Sequence, residues 1–117
     1  MIIELNDENY SDFIQNTQKA VFIDFYSPSC GPCQELMNQL PHLDNYFKED
    51  AFITKVDVTQ NPKLAKKYEI SSVPFCVTVS AKDKMLKDFE LGAASVDRYI
   101  RMIKKAQGKG LFSRLFG

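Results

Sequence analysis

Val21-Phe22-Ile23-Asp24-Phe25-Tyr26-Ser27-Pro28-Ser29-Cys30-Gly31-Pro32-Cys33 runs from an apolar segment through a short loop into a pair of cysteines. Val21 to Tyr26 is apolar on both alternating faces, the pattern of a central strand covered on each side by helices. Asp24 is the only charged residue in it. A helical pattern then begins at about Gln34, with Leu36, Leu40, Leu43 and Phe47 as its buried stripe. At the N-terminus of such a helix, unpaired backbone N–H groups and the helix dipole stabilise a Cys30 thiolate, the form that attacks a disulfide. Cys33 lies one turn on and shares that face, roughly 5–6 Å away between Cβ atoms, so a small adjustment closes the pair into a disulfide. Pro32 has no N–H to lose in the first turn, and Gly31 leaves the sulfur open to another chain's backbone. The same pair also reads as half of a zinc site. A tetrahedral structural site needs four ligands, however, and beyond the pair the chain offers only Cys76 and His42.

The rest of the composition narrows the function. At 117 residues the chain is expected to form one domain, burying roughly 60–70% of its unfolded surface. Fifteen Lys plus Arg balance fifteen Asp plus Glu, which gives no whole-chain footprint for nucleic acid or an anionic membrane. No apolar run approaches the roughly 20 residues that span a bilayer. Met1 to Tyr10 has acidic residues but no basic or apolar leader pattern. With three cysteines, this argues for a redox or metal-binding pair rather than a structural disulfide framework and sets the expectation of a cytoplasmic protein.

Around the central segment the chain alternates between the two periodicities. Ile2 to Leu5 reads as a strand, with Asn6 or Asp7 capping a helix that carries Tyr10, Phe13 and Ile14. Pro41 falls inside the long helix, where it removes the bond to the Met37 carbonyl and is expected to kink or divide it. A strand from about Phe52 to Val58 follows, and Asn61-Pro62 supplies a cap and first-turn pair for a helix carrying Leu64, Ala65 and Tyr68. Phe75 to Ser80 and Met85 to Leu91 form a hairpin, and Ser95 caps a last helix with Val96, Tyr99, Ile100 and Ile103 inward. The order is βαβαβαββα, an α/β domain over residues 1–107. A short amphipathic tail, 108–117, has Leu111, Phe112, Leu115 and Phe116 as its apolar positions.

Taken together, Asp24-Phe25-Tyr26, Cys30-Gly31-Pro32-Cys33, Lys55, Val73-Pro74 and Gly92-Ala93 fall in the order and spacing of the thioredoxin family. The chain resembles that family from about Ile2 to Lys105. The resemblance implies a thioredoxin fold, a central mixed β-sheet with helices on both faces. It also implies a protein-disulfide reductase, or dithiol electron carrier. Cys30 would attack a substrate disulfide, Cys33 would resolve the mixed disulfide, and an external thioredoxin reductase would recycle the Cys30–Cys33 disulfide. No bound cofactor or metal is implied. The implied partners are disulfide-bearing proteins, not nucleic acid, and the implied state is a monomer. The tail is expected to pack back or remain disordered, with contact to a membrane surface or a partner protein as the alternative.

The remaining roles follow with different weight. Asp24 is expected to be buried, and burial raises a carboxyl pKa towards the range of proton transfer. The pattern alone leaves open an aspartate with no role in exchange, whereas the resemblance makes Asp24 the acid/base for Cys33. Lys55 is either a tuner of Asp24 or a solvated strand lysine. By resemblance the Val73-Pro74 bond is cis, and Gly31, Pro32, Val73, Pro74, Gly92 and Ala93 form a substrate groove. Tyr26 either flanks that groove or simply packs. Cys76 reads as core filler or a regulatory thiol, and His42 as a solvent-facing residue. The chain departs from the family in having Ser29 where tryptophan usually precedes the first cysteine, and Asn38 where the kink proline usually stands.

Overall fold

In the computed structural model, which describes residues 1–109, every residue of the strand Ala20–Tyr26 is buried. That strand is β2, the middle of a five-stranded sheet ordered β1-β3-β2-β4-β5. The chain order is β1 (Ile2–Glu4), α1 (Tyr10–Asn16), β2, α2 (Gly31–Phe47), a 3-10 turn (Lys48–Asp50), β3 (Ala51–Asp57), α3 (Pro62–Lys67), β4 (Phe75–Val79), β5 (Leu86–Leu91) and α4 (Val96–Ala106). β1, β3 and β2 are parallel, and β4 and β5 each run antiparallel to the strand before them in the sheet. This is the expected mixed α/β sheet in the expected element order. The apolar positions of the tail from residue 111 onward lie outside the described residues.

Alternation along β2 divides the core. Phe22 packs with Leu36, Leu40, Leu43 and Phe47 of α2 and with Tyr99, Met102 and Ile103 of α4. Val21, Ile23 and Phe25 face the other way, onto Ile14 of α1 and Leu64 of α3. Asp24, two residues after Phe22, therefore stands on the face carrying α2 and its cysteines.

Three local expectations are corrected. Pro41 neither divides α2 nor ends it: the helix is a single run from Gly31 to Phe47, beginning three residues earlier than its apolar stripe suggests. Pro41 is exposed while Leu40 and Leu43 are buried against the sheet. Fully burying a leucine is worth about 1.5–3 kcal/mol, so two of them offset the roughly 3 kcal/mol that an interior proline costs. The second correction concerns α3, whose N-cap Asn61 makes no side-chain cap bond. Instead, Asp7 reaches across from the β1–α1 loop to accept the amides of Lys63 at 3.1 Å and Leu64 at 2.9 Å. Asn61 ties that loop down, accepting the Asp7 amide at 2.8 Å. The third concerns α1, expected to be capped by Asn6 or Asp7: its N-cap is Asn9, which makes no side-chain cap bond. Asn6 acts in the turn before the helix, whereas Ser95 caps α4 as expected. Asn6 accepts the amides of Glu8 and Asn9, and Ser95 accepts that of Arg98 at 3.1 Å.

Candidate active site

Cys30 is the N-cap of α2, and its extended backbone turns the chain from the loop into the helix. Its sulfur accepts the Cys33 amide at 3.2 Å, so one of the unpaired N–H groups of the first turn is aimed at the atom that carries charge in the thiolate. Cys30 and Cys33 are joined as a disulfide with a Cα–Cα distance of 5.2 Å. The two differ in access: Cys30 is partly exposed, whereas Cys33 is fully buried. Such an asymmetry admits an incoming disulfide to one sulfur and shields the other.

Three segments come together around Cys30. Gly31 and Pro32 are exposed in the first turn of α2, and space is open where a Cβ on Gly31 would stand. The Val73–Pro74 bond is cis, and the Val73 carbonyl oxygen lies 3.7 Å from Cys30 Sγ. Gly92, at φ +82°, donates its amide to the Pro74 carbonyl at 2.8 Å and so fastens the Gly92-Ala93 loop beside the proline. The structure thus brings Cys30, Gly31, Pro32, Val73, Pro74, Gly92 and Ala93 to one end of the sheet.

Below them a row of ionisable side chains crosses the sheet in register: Glu4 beside Lys55, Lys55 beside Asp24, Asp24 beside Cys76 and Cys76 beside Glu90. Asp24 is fully buried, and its Oδ2 has no hydrogen-bond partner among the described residues. Burial pushes its pKa up to about 7; the positive charge of Lys55 opposes the rise and the negative charge of Glu4 adds to it. Lys55 spends its short-range contact on Glu4, 3.6 Å away, with its ammonium 5.7 Å from the centre of the Tyr26 ring. Tyr26 is buried and donates its hydroxyl to Glu4 at 3.1 Å, so it packs within this row. Sequence reasoning gave Glu4 no role, because only the β1–β3 register brings it to Lys55. Cys76 is fully buried with its sulfur 4.0 Å from Asp24 Oδ1, and His42 is exposed on α2.

A family model for thioredoxin matches residues 1–105. The chain belongs to the thioredoxin family. It is 32% identical over 98 residues to the chloroplastic thioredoxin Y2 of Arabidopsis thaliana, covering 84% of this chain and 58% of that protein. It is 34% identical over 80 residues to thioredoxin C-3 of Corynebacterium nephridii, covering 67% of this chain and 53% of the relative. With a thioredoxin of Buchnera aphidicola the identity is 31% over 94 residues, covering 80% and 84% of the two chains. The match thus spans little more than half the length of the first two relatives.

Within the thioredoxin pattern the local departures are visible. Ser29, where the family usually has tryptophan, is exposed next to Cys30. Asn38, where the family usually has its kink proline, is an ordinary exposed position of α2. Among the described residues, no group of three or more His, Cys, Asp or Glu side chains could hold a metal ion. No helix among them is long and apolar enough to cross a membrane.

Proposed function

We propose that this chain is a protein-disulfide reductase, a dithiol electron carrier acting through Cys30 and Cys33. The observation that carries the reading is the position of Cys30. Cys30 is partly exposed, and its sulfur takes the Cys33 amide at 3.2 Å and faces the Val73 carbonyl at 3.7 Å, while Cys33 is buried. In the dithiol form the Cys30 thiolate attacks one sulfur of a substrate disulfide. That S–S bond breaks, and the departing thiolate takes up a proton. An extended substrate segment pairs its backbone with Val73, while Gly31, Pro32, Pro74, Gly92 and Ala93 line the groove. Asp24 then accepts the Cys33 proton, and the Cys33 thiolate attacks Cys30. The mixed disulfide breaks, the second substrate thiolate departs and takes up a proton, and the substrate leaves as a dithiol with two electrons gained. Lys55 tunes Asp24 through the row it shares with Glu4. A thioredoxin reductase would return two electrons to the Cys30–Cys33 disulfide.

The same reading takes residues 1–107 as the functional unit, acting as a monomer in the cytoplasm with the tail from 108 as an accessory segment. Wild type is expected to reduce insulin disulfides with dithiothreitol as electron source. Cys30→Ser is expected to lose turnover, and Cys33→Ser to accumulate a mixed disulfide detectable by mass. Equal turnover in Cys30→Ser would overturn the assignment and favour an interaction module that uses the fold without the thiols. Equilibration against glutathione separates reductase from oxidant, because a potential well above the cytosolic poise makes the pair an oxidant.

A further inference from the structure

Cys76 is paired in register with Asp24 on neighbouring antiparallel strands, and its sulfur lies 4.0 Å from Asp24 Oδ1. Asp24 Oδ2, by contrast, is buried with no partner among the described residues. The two oxygens of one carboxyl group are therefore inequivalent. Tyr99, on α4, packs in the same core cluster as Cys76, and its hydroxyl accepts the Ala94 amide at 2.8 Å. A carboxylate oxygen only accepts, so it is the Cys76 S–H that points at Asp24 Oδ1.

We propose that Cys76 is a positioning residue for the Asp24 carboxyl: its S–H holds Oδ1 and leaves Oδ2 as the oxygen that takes and returns the proton. The proposal rests on the reading of Asp24 as acid/base for Cys33. Cys76 itself keeps its proton, since burial and the neighbouring carboxylate both hold the thiol neutral. It acts by orientation alone, and no electrons pass through it. The other ionisable groups facing Asp24 are Lys55 on β3, Glu4 on β1, Tyr26 on its own strand and Tyr99 on α4. Glu90 on β5 lies beyond Cys76, where it is paired with Arg98. In the oxidised protein Cys30 and Cys33 do not titrate, so the carboxyl is read without them.

The test is the titration of the Asp24 carboxyl carbon by NMR in the oxidised protein, assigned by its loss in Asp24→Asn. Removing a donor from the charged form raises a carboxyl pKa. Cys76→Ala is expected to move the midpoint up by about 0.5–1 pH unit, the scale of a weak donor to a charged group. Cys76→Ser, which keeps a donor, is expected to restore most of the shift. Cys76→Val, which removes the donor but keeps an apolar side chain of similar size, is expected to move it by the same amount and separates loss of the donor from loss of packing. A midpoint unmoved in both Cys76→Ala and Cys76→Val overturns the proposal. A midpoint that moves while the pH profile of disulfide reduction does not leaves Cys76 as the positioning residue and removes Asp24 from the chemistry.

Discussion

Asp24 and Lys55 are register partners on adjacent parallel strands, yet the Lys55 ammonium forms its ion pair with Glu4 at 3.6 Å, and Asp24 Oδ2 stays unpaired in the interior. A buried carboxyl in that position is costly when charged, because the lysine opposes the desolvation without cancelling it.

Stability should therefore fall as the pH rises from about 4 to 7 and level off above that. The Asp24 pKa is raised from 3.8 to about 7 on folding. Between those values the native state holds a proton that the unfolded state has lost, so the favourable contribution is complete below about pH 4 and is lost as pH approaches and passes 7. A rise of this size corresponds to about 4 kcal/mol. Asp24→Asn should be more stable than wild type at pH 8 by an amount of that order, with the gap closing towards pH 4, measured by denaturant unfolding of the oxidised protein at each pH.

The two charges beside Asp24 should act in opposite directions. Lys55→Met removes the charge that lowers the carboxyl pKa and should raise the midpoint by roughly one unit, while Glu4→Gln should lower it by a smaller amount. NMR titration of Asp24 in the two variants checks the signs. Equal shifts of one sign in both would show that loss of packing, not charge, moves the group.

Asp7 should matter to stability although it lies far from the cysteines. Its carboxylate supplies the cap bonds of α3 to Lys63 and Leu64, and loss of a cap costs about 1 kcal/mol. Asp7→Ala should lower the denaturant midpoint accordingly and leave the rate of disulfide reduction unchanged.

Arg98 ties α4 to the edge strand β5. Its guanidinium contacts both oxygens of Asp88, at 2.9 and 3.2 Å, and Glu90 at 2.8 Å. Two-pronged pairing of this kind exceeds a simple surface ion pair, so Arg98→Ala should cost about 1 kcal/mol, less in high salt. Unfolding in urea at two salt concentrations measures both quantities.

Local pattern was enough for the strands and helices, the place of Cys30 at a helix start, and the burial of Asp24, because side-chain periodicity and capping chemistry act within a few residues. The site was legible to the same depth: Cys30 and Cys33 by spacing, and the Val73-Pro74 and Gly92-Ala93 segments by resemblance. Pro41 shows where this stops, since a local rule predicts a break and burial of Leu40 and Leu43 on the sheet holds the helix together. The cap of α3 shows it again, because the carboxylate that supplies it comes from Asp7, far away in the chain.

The opening stretch, Val21 to Cys33, by itself determined a covered central strand leading into a helix-capped dithiol, since both properties follow from side-chain type and spacing. Tertiary structure alone decided what surrounds Asp24. Strand register placed Glu4, Lys55, Cys76 and Glu90 in one row with it, and α4 set Tyr99 over Cys76. Register depends on how whole strands slide against one another to bury their apolar faces, and no single segment contains that information.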